Sequence, residues 1–117
     1  MNPRPRQYCL TLNLRDDEDL IREYEEFHTP GNVWPEIVES ILRHGILDMQ
    51  IYRSSVRLVM VITVSEEFSF ERKAKMDSEN PKVVEWERLM EKFQRVDEPG
   101  DSKWKSMQNI FNLEDHI

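Results

Sequence analysis

The run Arg57-Leu-Val-Met-Val-Ile-Thr-Val64 constrains the chain more than any other segment. Its apolar part, Leu58 to Val64, is broken by Thr63 and falls far short of the roughly 20 residues a bilayer span needs. A strand that is apolar on both faces needs cover on both sides, so this one is expected at the centre of a sheet. Ile46 to Arg53 precedes it across a Ser54-Ser55 turn and reads as its hairpin partner. Tyr8 to Leu14 alternates, with Tyr8, Leu10, Leu12 and Leu14 on one side and Cys9, Thr11 and Asn13 on the other, the pattern of a half-buried strand.

Helical periods fill the gaps between these strands. Asp16, Asp17, Glu18 and Asp19 suit the positive end of a helix dipole, and Leu20, Tyr24, Phe27 and His28 then recur at helical spacing up to Thr29-Pro30-Gly31-Asn32. A second helix is predicted to open at Pro35, bury Ile37, Val38, Ile41 and Leu42, and stop at His44-Gly45 with a left-handed glycine cap. Phe68 to Met76 reads as a short helix. Asn80-Pro81 starts a longer one with the stripe Val83, Trp86, Leu89, Met90, Phe93. Glu98 to Lys103 is a polar loop around Gly100, and Trp104 to Leu113 is expected as a last strand with Met107, Phe111 and Leu113 on one side.

The order β-α(α)-β-β-(α)α-β describes an α+β chain with a ferredoxin-like split βαβ topology. With no repeat or linker, residues 1–117 read as a single domain, with 1–6 and 114–117 as flexible tails. Both crossovers put helices on one face and leave the other face of the sheet bare. Pairing two sheets covers it, so a homodimeric α/β-barrel is expected.

Composition excludes several classes of function. With 16 Lys+Arg against 23 Asp+Glu, the net charge of −7 works against phosphate-backbone binding, so no nucleic-acid partner is expected. Met1 to Gln7 carries no apolar stretch of the kind a secretory signal has, and a soluble, cytoplasmic chain without a membrane partner is the reading. The lone Cys9 can form no internal disulfide. His28, His44 and His116 lie in different elements without metal-ligand spacing, so no metal is expected. The three glycines, Gly31, Gly45 and Gly100, lie too far apart to assemble a GxGxxG or GxxxxGK[ST] phosphate loop.

The informative stretch runs from Tyr24 to Glu36. Tyr24 and His28, four apart, share the inward stripe of one helix. Such a pair is most often a satisfied core histidine at a frayed helix end. Its functional alternative is a proton donor facing a cavity the size of a sugar, because an imidazole with a pKa near 6.5 can both give and take a proton. Trp86 is either core packing or an apolar platform for a carbohydrate's C–H face. Trp34 before Pro35 reads as a hydrophobic staple, and His44 as a cation favoured at a helix C-terminus. Ile46, Asp48, Gln50 and Tyr52 alternate with Leu47, Met49 and Ile51, and either set can line a cleft.

Taken together, Tyr24-x-x-x-His28, Pro30, Trp34-Pro35-Glu36, His44-Gly45, Ile51-Tyr52 and Trp86 with Met90 resemble the L-rhamnose mutarotase family, over roughly Gln7 to Leu113. The resemblance implies a homodimeric, ferredoxin-like α+β barrel and a cofactor-free isomerase that interconverts the α and β anomers of a 6-deoxyhexose. It implies His28 as the proton-donating residue, with Tyr24 and Trp86 contacting the sugar. Where the family has a second tryptophan this chain has Glu87, and a sugar-contacting tyrosine of the family falls at Met49. Gly31-Asn32 is a two-residue expansion. These departures spare the acid and imply retained chemistry with altered specificity, L-fucose being the rival to L-rhamnose. Tyr24, Asp48, Glu87 or a bound water are open as second proton carrier. Ferredoxin-like dimeric barrels also host haem-degrading and small-quinone oxygenases, which stand as one alternative, and a non-catalytic ligand-binding or interaction module whose Tyr24/His28 pair is simply core stands as another.

Overall fold

A computed structural model describes residues 6–95 and 103–117. Its elements are β1 (Arg6–Leu14), α1 (Glu18–Phe27), α2 (Pro35–Arg43), β2 (Ile46–Ser54), β3 (Arg57–Val64), α3 (Phe70–Glu79), α4 (Pro81–Glu91), β4 (Gln94–Arg95), β5 (Lys105–Met107) and a 3-10 turn over Leu113–His116. The sheet order is β2-β3-β1-β4, with β5 also paired to β1, and every pairing is antiparallel. This is the ferredoxin-like arrangement, with β3 in the interior as its composition requires.

One face of that sheet carries the core. Leu10, Leu12 and Leu14 of β1 and Leu58, Ile62 and Val64 of β3 are buried, and the alternation that made them strands turns all of them the same way. Tyr24, Ile37, Val83, Trp86 and Met90 come down on them from α1, α2 and α4. Phe93, just past α4, is almost fully enclosed. Neither cluster of buried residues takes a member from the opposite face, where Cys9, Thr11, Val59 and Val61 lie.

Local chemistry accounts for the helix ends. The Asp17 carboxylate accepts from the amides of Asp19 (3.0 Å) and Leu20 (3.1 Å), so the acidic cluster does cap α1. Ser69 and Asn80 cap α3 and α4 in the same way. The third helix therefore starts at Phe70 rather than Phe68, and Phe68 is a buried core residue ahead of it.

Two expectations need correction. On α2 the inward side is Ile37, Ser40, Ile41 and His44, while Val38 (46 % exposed) and Leu42 (63 %) face away from the core. Hydropathy ranks valine and leucine above serine and histidine, but the polar pair has an internal partner that the hydrophobic count cannot see. The last strand does not run from Trp104 to Leu113. Its place beside β1 is divided between β4, opposite Asn13 and Leu14, and β5, opposite Cys9 to Thr11. Phe111 and Leu113 lie beyond it, more than half exposed. Of the polar loop from Glu98 to Lys103, only Lys103 is among the described residues. The terminal expectation over 1–6 likewise falls outside them apart from Arg6, which belongs to β1.

The sheet also decides which side of β2 is covered. An irregularity between Ile46 and Asp48 turns Leu47 outward, after which Met49 and Ile51 face the helices and Asp48, Gln50 and Tyr52 the open side.

Gly45 joins α2 to β2 at φ +86, and a Cβ there would stand 2.5 Å from the Ser65 hydroxyl oxygen. Gly31 shares the positive φ (+90) but has open space around it. Gly45→Ala is expected to cost about 1–3 kcal/mol for backbone strain, plus the displacement of Ser65, and Gly31→Ala less. Urea denaturation of the two variants checks the ranking.

Candidate active site

The stripe on α1 brings Tyr24 and His28 together. Their ring centroids lie 4.3 Å apart with 33° between planes. Tyr24 is buried and His28 half-buried at the helix end. The chain turns there because Pro30 and Gly31 cannot continue the helix, and Asn32 holds the turn by donating to the Glu26 carbonyl (2.8 Å) and the Thr29 hydroxyl (2.7 Å). Trp86 approaches from α4, its ring 5.8 Å from the imidazole at 67°. Trp34 lies 5.1 Å from Trp86, and Phe27 meets Trp86 edge-on at 6.2 Å. One imidazole is thus framed by aromatic faces.

That imidazole is oriented by the backbone. His28 Nδ1 lies 2.7 Å from the Tyr24 carbonyl oxygen, which can only accept, so Nδ1 carries a proton. Nε2 is left with the lone pair in the neutral ring. Burial pushes the His28 pKa below its ordinary value, and the Tyr24 carbonyl opposes that shift in part. Near neutrality the ring is uncharged and basic at Nε2. Burial pushes the Tyr24 phenol well above its ordinary range, so it stays protonated and acts as a neutral hydrogen-bonding group.

The other sequence-selected residues lie elsewhere. Glu87 follows Trp86 by about 100° around the helix, is exposed, and has Asp77, Lys73, Lys103 and Glu91 as its charged neighbours. Partial burial and the Asp77 charge raise its pKa, with Lys103 and Lys73 opposing. Met49 is half-buried on the helix-covered side of β2 and packs against the cluster of Leu10, Ile46, Ile62, Val64 and Phe68. Asp48 faces the open side of the sheet, away from His28. Tyr24, His28 and Trp86 are therefore brought together, while Glu87 and Met49 are not part of that aromatic group. Trp34, read as a staple, does join it, and only the fold shows this because its partner lies 52 positions away.

His44 does more than occupy a helix end. It is 2 % exposed, and Nε2 lies 2.8 Å from Asp77 Oδ1, whose other oxygen accepts from Lys73 Nζ at 2.6 Å. Arg72 also donates to the His44 carbonyl (3.2 Å). Ser40 Oγ sits 3.3 Å from the same Nε2, so the three do not form a relay that would activate the serine. Their role is to tie the end of α2 to α3. Among the described residues no group of three or more His, Cys, Asp and Glu converges as a metal site, and no helix is long and apolar enough to cross a membrane.

Comparison with known proteins bears on this geometry. Residues 7–113 match the L-rhamnose mutarotase family. The chain belongs to that family. It is 41 % identical over 112 residues to a protein of Xanthomonas campestris pv. campestris named L-fucose mutarotase, covering 93 % of this chain and 89 % of the other. A UPF0734 protein of Dictyostelium discoideum is 30 % identical over 118 residues, covering 93 % and 90 %. The crystal structure of an L-rhamnose mutarotase from Formosa agariphila superposes with a TM-score of 0.69 over 92 % of this chain and 97 % of that one, at 16 % identity, and shares the fold. Membership in this mutarotase family selects an isomerase over the oxygenase and binding-module alternatives.

With the His28 pKa lowered, the ring is expected to titrate below about 6.5 in the folded protein. The unfolded chain then binds more protons in that interval, so this residue's contribution to stability is present above about pH 6.5 and lost as pH falls through the folded value. Proton–nitrogen NMR of the imidazole checks both the midpoint and the Nδ1–H tautomer.

Proposed function

We propose that the chain interconverts the anomers of a 6-deoxyhexose, with L-fucose preferred over L-rhamnose, and that His28 carries the proton. The observation behind this reading is the Nδ1 contact with the Tyr24 carbonyl, which leaves Nε2 as a base beside Trp86. Opening a pyranose moves one proton from the anomeric hydroxyl to the ring oxygen, and both oxygens are bonded to C1. Neutral Nε2 takes the hydroxyl proton as the C1–O5 bond breaks, and the imidazolium formed returns it to O5. Rotation about C1–C2 followed by the reverse steps closes the ring on the other carbonyl face, with His28 unchanged. A single imidazole balances the reaction, so no second carrier is required. Asp48 is on the wrong side of the sheet for that part, and the Tyr24 phenol is too weak an acid.

Trp86 supplies an apolar surface for the C–H face and methyl group of the sugar, and Tyr24 positions the imidazole and bonds a hydroxyl. The preference for L-fucose is supported by the 41 % identity to the Xanthomonas protein of that name. The departures at Met49 and Glu87 from the family's aromatic residues are consistent with it.

Saturation-transfer NMR of anomeric exchange, with L-fucose and L-rhamnose in parallel, tests the reading. General acid–base catalysis accounts for roughly 10²–10⁴-fold, and His28→Ala is expected to lose acceleration of that order while its circular dichroism is unchanged. An active His28→Ala protein would refute the assignment. Because Nε2 must start unprotonated, acceleration should be level above the folded His28 pKa and decline as pH drops through it. In a second experiment, Met49→Tyr is expected to shift the fucose-to-rhamnose rate ratio toward rhamnose. An unchanged ratio removes Met49 from the specificity set.

A further inference from the structure

The aromatic group around His28 continues outward through Trp34 to a lysine. Trp34 meets Trp86 at 5.1 Å with 72° between planes, and the Lys82 ammonium stands over the Trp34 ring, 5.7 Å from its centroid. Lys82 also precedes Trp86 by one turn of α4, which puts both indoles within reach of its side chain. Trp34, Trp86 and Lys82 thus form a corner beside the imidazole, built from α4 and the residue that opens α2.

Burial deepens from the rim of this corner inward. Lys82 is exposed, Trp34 is half-buried, and Trp86 is 9 % exposed. Trp86 already has Phe27, His28 and Trp34 around it, whereas Trp34 touches the core cluster without being enclosed by it. The corner also holds donors that lack acceptors. Among the described residues neither the Trp34 nor the Trp86 indole N–H has a hydrogen-bond partner, and neither is sealed from water. Lys82 pairs with Glu85 at 3.5 Å, but both side chains are more than half exposed, so that ion pair is weak and readily exchanged.

Indole surface edged by N–H donors suits one ligand chemistry. A pyranose has a C–H face that packs on an aromatic ring and a rim of hydroxyl oxygens that accept from N–H groups. We infer that Trp34 and Lys82 form the outer wall of the sugar site, where the Trp34 ring and N–H and the Lys82 ammonium hold the part of the pyranose remote from C1. His28 Nε2 works at the anomeric hydroxyl and O5, so the hydroxyls on C3 and C4, across the ring, are those that lie toward this wall. The ammonium exchanges Glu85 for a hydroxyl, and its flexible, exposed stem lets it lift off the indole as the sugar enters. L-Fucose and L-rhamnose differ in configuration at C2 and C4, so a donor facing C4 is placed to tell them apart. The inference builds on the proposed sugar chemistry at His28 and adds to it the residues that read the far side of the ring.

The test follows the indole N–H signals of nitrogen-labelled protein during titration with L-fucose and, separately, L-rhamnose. Trp34→Phe assigns the Trp34 signal. That signal is expected to shift saturably with at least one of the two sugars. In Lys82→Met, which keeps an exposed stem and removes the donor, the half-saturating concentration of that sugar is expected to rise about tenfold, with unaltered circular dichroism. A Trp34 signal unmoved by either sugar overturns the inference, as does a Lys82→Met protein that binds as the wild type does. His28→Ala separates the wall from the chemistry, because it is expected to keep the Trp34 shift while losing anomeric exchange. Persistent exchange in His28→Ala sinks the catalytic assignment and leaves the wall standing. An unmoved Trp34 signal in a wild type that accelerates exchange does the reverse.

Discussion

The antiparallel pairing of β1 with β3, from Arg6 opposite Val64 to Asn13 opposite Arg57, is the contact on which the rest depends. It aligns the alternation of two strands, so that Leu10, Leu12 and Leu14 add to Leu58, Ile62 and Val64 in one continuous apolar surface. A slip of one residue would turn half of that surface to the other face. The helices have nowhere else to bury Tyr24, Trp86, Met90 and Phe93, and so the end of α1, with His28, is fixed relative to α4.

The protonation state of His28 follows from that burial. Half-buried among aromatic rings, the imidazole is disfavoured as a cation, and its one backbone partner decides which nitrogen holds the proton. A free helix end in water would have left both nitrogens solvated and the tautomer undetermined. The aromatic group therefore packs the core and tunes the ring with the same atoms.

His44 and Asp77 serve the fold instead. Both are buried, and they join the end of α2 to α3 while Lys73 neutralises the carboxylate. Removing one partner of such a buried pair typically costs about 3–5 kcal/mol, because the other is left without compensation. The pair also explains how α2 is rotated. Ser40 and His44 face inward because a partner waits there, and Val38 and Leu42 are left outside.

By itself the sequence determined the strand alternation, the helix starts at the acidic cluster Asp16–Asp19, at Pro35 and at Asn80, the glycine stop at Gly45, the split βαβ order and the closeness of Tyr24 to His28, because each depends on neighbours within a few residues. Tertiary structure alone decided the rest. The meeting of Trp34 with Trp86 and of Trp86 with His28, the His44–Asp77 contact 33 positions apart, the covered side of β2 and the division of the last strand into β4 and β5 each depend on which distant segments pack together. Periodicity shows that a residue faces inward, and packing decides what it meets there.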